Sequence, residues 1–168
     1  LAPNVAGAEL FGFQRVGGDD ARGGLESLAE HDGVLLVAGD NLADQDESFG
    51  SKSELFVYLG SYPSKAAANA HFVLPVSTFA EQEGSFTNAQ GRVQRFWAGL
   101  QAQGAARPGW MILGALLAAL NEEEAPLAAD QAFAQVAEAN PAFGGITYRD
   151  MGTRGAPANE PAGASSGD

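Results

Sequence analysis

Three short apolar runs, each closed by a breaker, constrain this chain more than any other feature. Val34-Leu35-Leu36-Val37-Ala38 stops at Gly39-Asp40, Leu55-Phe56-Val57-Tyr58-Leu59 stops at Gly60, and Phe72-Val73-Leu74 ends at Pro75. Continuous rather than alternating hydrophobicity marks strands buried on both faces. Strand, crossover and strand, repeated, implies a parallel sheet with right-handed connections. The expected fold class is therefore α/β, a parallel sheet with flanking helices. The 22 glycines among 168 residues suit such a turn-rich fold better than a helical bundle.

The segments between and after the runs supply the helices. Asp20 to His31 reads as a helix with Leu25, Leu28 and Ala29 on one face, Asp19 or Asp20 as N-cap and Gly33 as stop. Asn41 to Glu54 reads as loop, and Ser64 caps a short Ala-rich helix through Ala70. Glu81 to Gln90, rich in Gly, Ser, Thr, Asn and Gln, looks too irregular for a regular element. Pro108 opens a helix at its first position, and Trp110, Ile112, Leu113, Leu116, Leu117 and Leu120 make it apolar nearly all round. Such a helix is expected to be buried between layers. A second helix, Leu127 to Asn140, places Phe133, Val136 and Ala137 on one stripe. From Gly152 the chain is mainly Gly, Ala, Pro and Ser, which reads as a disordered tail. The organisation expected is one α/β region over residues 1–151 and a tail over 152–168.

Composition removes several functions. With no Cys, the segment can hold no disulfide, no thiolate zinc site and no cysteine-bound iron–sulfur cluster. Nine Lys plus Arg against 21 Asp plus Glu give a net charge of −12, which argues against nucleic acid. The apolar run from Trp110 to Leu120 falls short of the roughly 18 residues of a spanning helix. No basic segment precedes an apolar one at the start, as a signal peptide requires. A first residue of Leu1 instead of Met suggests a fragment of a longer chain. The charge is uneven: residues 1–50 hold ten acids and two bases, while Gly84 to Leu120 hold no acid and Arg92, Arg95 and Arg107. A solvated acidic surface is the simple reading of the first part.

Candidate chemistry is sparse. His31 and His71 lie on different elements without metal-ligand spacing, so no metal site and no catalytic residue is expected. Neither the Gly-rich dinucleotide fingerprint nor the phosphate loop is present, and Ser77 and Thr78 lack the glycines of a nucleophile elbow. Two places remain. The loop Gly60 to Lys65, with Ser61 and Lys65, joins the carboxyl end of a strand to a helix start, where parallel sheets bind anions. A plain strand–helix turn fits the same residues. The stretch Glu81 to Arg95 carries Glu81, Asn88, Arg92 and Arg95 on a long polar loop, a type that is often functional or a remnant of function.

The second stretch carries a family resemblance. Leu74-Pro75 is followed by Glu81 three residues before Gly84, Asn88 four residues after it, and the pair Gly91-Arg92. This pattern resembles the signature of the molybdopterin oxidoreductase superfamily. Arg107-Pro108 and Trp110, leading the apolar helix, are similar to one branch in particular. That branch is the large iron–sulfur subunit of NADH:quinone oxidoreductase, respiratory complex I. The resemblance covers about Val34 to Tyr148. Two positions depart from it: His71 stands where the family commonly has Asp, and Gln90 where it usually has Glu. Both departures remove a carboxylate and argue against a working cofactor pocket.

The resemblance implies a Rossmann-like sheet and a structural role in electron transfer from NADH to quinone. It implies no cofactor in this segment, the iron–sulfur clusters belonging to a cysteine-bearing N-terminal part of the parent. It implies other peripheral-arm subunits as partners, on the cytoplasmic side of the inner membrane. Ser61, Lys65, Glu81, Asn88 and Arg92 would then be a vestigial pterin-pocket set. Under the alternative, a molybdopterin-dependent enzyme of the formate dehydrogenase type, the same residues would contact the pterin dinucleotide. A free-standing acidic interaction module is a third reading.

Overall fold

The three apolar runs form β1 (Val34–Ala38), β2 (Leu55–Gly60) and β3 (Phe72–Pro75) of an all-parallel sheet ordered β1-β2-β3. The computed structural model describes residues 4–13, 28, 30–39 and 47–159. Val34 pairs with Leu55 and Val57 with Phe72, so strand partners share a face. One face carries Leu35, Phe56 and Tyr58, all buried, beneath Phe49, Ala67 and Ala70. Phe49 meets Phe56 edge to face at 5.8 Å. Gly50 is needed there: its φ is +69°, and a Cβ on it would lie 2.6 Å from the Phe56 ring.

The opposite face departs from the expectation of two covered sides. Val34 is 64% exposed and Phe72 60%, with Leu36 also open. An apolar run reports that both faces of a strand are apolar; whether both are covered depends on what else packs against them.

This sheet belongs to one of two compact units, Val16–Glu81 with Leu100–Gly109. The other comprises Leu1–Arg15, Gln82–Gly99 and Trp110–Asp168. Residues 1–151, expected as one region, are distributed over both. The expected helix Asp20–His31 and the first part of the loop from Asn41 lie mostly outside the described residues. The Ala-rich helix expected from Ser64 to Ala70 is only a 3-10 turn, Lys65–Ala67.

The second unit has a sheet that the sequence reading lacks. Glu81 to Gln90, read as irregular, contains β4 (Gly84–Thr87), which pairs antiparallel with β5 (Arg92–Phe96). A short β6 (Ala156–Pro157) extends the sheet beside β5. Helices α1 (Val5–Leu10), α2 (Gly109–Asn121), α3 (Ala129–Ala139) and α4 (Tyr148–Met151) complete the unit. Its core gathers Val93, Phe133, Phe143, Tyr148 and Met151. Phe133 meets Phe143 at 6.0 Å and Tyr148 at 5.5 Å. Thr147 and Asp150 cap α4 reciprocally, fixing Tyr148 at its first position.

Two further expectations are corrected. α2 starts at Gly109, one residue after Pro108, and is largely open: of its residues only Ala118 is buried. The tail does not begin at Gly152. Gly155 N–H donates to Met151 O at 2.6 Å, Ala158 N–H to Gly91 O at 2.8 Å and Asn159 N–H to Ala142 O at 2.8 Å. Small residues give this segment the composition of a disordered tail, yet smallness is what lets it dock, since a Cβ at Gly155 would fall 2.4 Å from Val93 O. Residues 160–168 lie outside the described residues.

Candidate functional site

Each candidate residue is placed by a local cause. β2 ends at Gly60, where any Cβ would lie 2.4 Å from the Tyr58 hydroxyl, so the turn closes directly over the buried tyrosine. Beyond it, Ser61, Tyr62 and Lys65 are exposed, and Ala67 N–H donates to Ser64 O at 3.0 Å. A cleft of about 350 Å³ opens at this end of the sheet, lined by Tyr58, Ser61, Tyr62, Ser64, Val73 and Pro75 among others. Its lining residues are all uncharged. Anion binding at this loop, the alternative to a plain strand–helix turn, relies on a helix N-terminus, and one 3-10 turn supplies few aligned peptides for that.

Glu81 closes a different turn. Its Oε2 accepts from the Thr78 N–H and the Thr78 hydroxyl, both at 2.9 Å. Arg92 is exposed, and its Nη1 donates to Gly155 O at 2.8 Å.

Asn88 and Arg92 are brought together, at the turn of the β4–β5 hairpin. Gly91 N–H donates to Asn88 O at 2.9 Å, and Gly91 takes a φ of +71°. Asn88 Oδ1 accepts from Gln90 N–H and Arg92 N–H, each at 3.0 Å. A tight turn followed by a left-handed glycine is a standard three-residue hairpin connection. An Asn that accepts from the backbone ahead of it is the usual way to start such a turn. The polar Asn-Ala-Gln-Gly stretch is thus a hairpin signal. It is hard to read in the sequence because Phe86 is the single large apolar residue of β4, too little to mark the alternating strand that normally flanks one.

A third constellation lies outside the candidate set. Arg95 Nε donates to Glu83 Oε1 at 2.7 Å, and the guanidinium carbon lies 4.9 Å from the centre of the Trp97 ring and 4.8 Å from that of Tyr148. Trp110 Nε1 donates to Glu83 O at 3.0 Å. Burial, with the Glu83 carboxylate second, pushes the Tyr148 phenol up from its ordinary value, against a hydrogen bond with Ser85 and the Arg95 charge. The ion pair ties the residue before β4 to β5, and Arg95 stacks on Tyr148 of α4, so the cluster joins hairpin to helix. Only the arginine in an acid-free segment hints at it in the sequence.

The two histidines act on the backbone. His31 Nε2 lies 3.2 Å from Val34 O. His71 Nδ1 accepts the Phe56 N–H at 3.0 Å, while Phe56 O accepts the His71 N–H at 2.8 Å. Among the described residues no group of three or more His, Cys, Asp or Glu could hold a metal ion.

Comparison with known proteins gives a consistent family. A sequence model described as molybdopterin oxidoreductase matches residues 23–119. The alpha subunit of F420-dependent formate dehydrogenase 2 of Methanococcus maripaludis is 29% identical over 139 residues, covering 78% of this chain and 21% of the relative. The mitochondrial NADH-ubiquinone oxidoreductase 78 kDa subunit of Candida albicans is 33% identical over 88 residues, covering 52% of this chain and 12% of the relative. The NADH-ubiquinone oxidoreductase 75 kDa subunit of Reclinomonas americana is 35% identical over 81 residues, covering 48% and 12%. The chain spans about a fifth or less of the length of these relatives.

Proposed function

We propose that this chain, which belongs to the molybdopterin oxidoreductase family, is a structural segment of the large iron–sulfur subunit of NADH:quinone oxidoreductase. One observation carries the reading. The signature residues that would face a pterin are committed to the chain's own backbone: Asn88 to the hairpin turn, Arg92 to Gly155 and Glu81 to Thr78. The cleft beside Ser61 is uncharged, a poor match for the phosphates of a pterin dinucleotide. These residues do not fit that cofactor, and no chemical step is assigned to them.

In this role the segment is a packed body of the peripheral arm, on the cytoplasmic side of the inner membrane. Electrons would pass through clusters bound by cysteines elsewhere in the subunit, since this segment has none. Contacts to neighbouring subunits would hold it there; no described helix is long and apolar enough to cross a membrane.

A second reading is a segment of a molybdopterin-dependent oxidoreductase of the formate dehydrogenase type. It is favoured by the greater span of that match, 78% of this chain against 52%. Elemental analysis of the protein in the form its host makes, with identification of co-purifying subunits, separates the two. The structural reading expects a flavin-bearing NADH-oxidising subunit and no stoichiometric molybdenum or tungsten. One molybdenum or tungsten per chain would establish the second.

A further inference from the structure

α2 carries its side chains the wrong way round for a helix that serves only its own unit. Leu113, Leu116, Leu117 and Leu120 recur at i, i+3, i+4 and i+7 and so form one stripe. They are 37%, 42%, 57% and 74% exposed. The side turned inward carries half-buried Trp110, packed against the core, and beyond it is small: Ala118 is buried, and Gly114 sits so close to Pro126 that a Cβ on it would be 2.8 Å from the proline ring. An ordinary surface helix puts its leucines in and its small or charged residues out. Scattered exposed leucines need no explanation, but a continuous stripe marks an interaction surface.

The charges at the end of α2 say what kind of partner fits. Residues 109–121 contain no charge, and Glu122, Glu123 and Glu124 follow at once, all exposed. They stand at the carboxyl end of α2, where the helix dipole is already negative and cations are favoured. In this chain alone the triad weakens the helix end. Opposite a cationic partner it sets register and orientation.

We propose that the leucine stripe of α2 docks an amphipathic helix of another polypeptide segment, whose aliphatic stripe ends in Lys or Arg facing Glu122–Glu124. The inference goes beyond the functional reading and holds for either parent enzyme. The spacing of the stripe suits helix-on-helix docking, with anchors at i, i+3, i+4 and i+7.

Photo-crosslinking tests this in the host's own assembly. A benzophenone amino acid at position 120 is expected to capture one peptide, identified by mass spectrometry, with aliphatic residues at helical spacing and a basic cluster at one end. Leu116→Glu with Leu117→Glu should cut the yield at least tenfold while leaving the thermal midpoint of the purified chain unchanged, because these side chains are open. Reversing Glu122, Glu123 and Glu124 to Lys should also cut it tenfold. Capture of a second copy of this chain, capture of a peptide without the basic cluster, or no capture would overturn the proposal. So would a yield unaffected by charge reversal, and that variant leaves the stripe intact even if the leucine variant misfolds.

Discussion

Asn88 and Arg92 hold each other through the backbone: Asn88 Oδ1 accepts the Arg92 N–H at 3.0 Å, and Arg92 O accepts the Asn88 N–H at 2.9 Å. Two residues of the family signature thus make a hairpin turn. Asn88→Ala should destabilise the chain by about 1–2 kcal/mol through loss of its three side-chain bonds, two accepted from Gln90 and Arg92 N–H and one donated to Gln94 Oε1. Asn88→Asp, which keeps the acceptor, should cost less than half as much. Urea unfolding of the three proteins measures both.

The two glycines of this region should respond differently. Gly91 has a φ of +71° and open space within 4 Å of where a Cβ would stand, so Gly91→Ala should cost only the left-handed strain, about 1 kcal/mol. Gly155→Ala adds a 2.4 Å clash with Val93 O to a φ of +76° and should cost about 3 kcal/mol or more. Equal midpoints for the two variants in urea would contradict this account of how β6 docks.

The two arginines beside the turn should also separate. Arg92 is exposed and its guanidinium donates to Gly155 O, so Arg92→Ala should cost about 0.5–1 kcal/mol. Arg95 is largely covered, pairs with Glu83 and lies over two rings, so Arg95→Ala should cost about 2 kcal/mol. Thermal or urea unfolding ranks the pair.

His71 is an acceptor for the Phe56 N–H. His71→Ala should leave that buried donor unsatisfied and cost about 1–3 kcal/mol. His71→Asp restores the residue common in the family and offers a carboxylate oxygen to the same N–H, so it should recover most of the loss. A variant with Asp as unstable as the variant with Ala would refute the role.

Tyr148 gives an alkaline signature. Its phenol is held above the ordinary value of 10.0 in the folded chain, by burial first and the Glu83 carboxylate second. The unfolded chain therefore loses this proton first. The stabilising contribution is complete below about pH 10 and is lost as pH rises from there through the folded pKa. Urea stability measured from pH 9 to 11 should fall more steeply for the wild type than for Tyr148→Phe, which lacks the group. Parallel curves would show that Tyr148 ionises alike in both states.

The parallel pairing of β1, β2 and β3 follows from sequence alone, because apolar runs such as Val34–Ala38 recur with crossover segments between them. Helix α3 is legible as well: Phe133, Val136 and Ala137 keep to one stripe. The family signature is legible too, as a spacing of Glu81, Gly84, Asn88, Gly91 and Arg92. What those residues do was decided by tertiary structure. Arg92 turned to a carbonyl 63 residues away, Glu81 to a neighbour three residues back, and the Gly155 segment found a groove only a glycine could enter. α2 shows the limit most plainly. Its sequence states how apolar it is, but the side on which Leu116, Leu117 and Leu120 end up depends on what packs behind Gly114 and Ala118. Local sequence sets periodicity and turn chemistry, which act within a few residues. Burial and long-range hydrogen bonding belong to surfaces that meet only after the chain has folded.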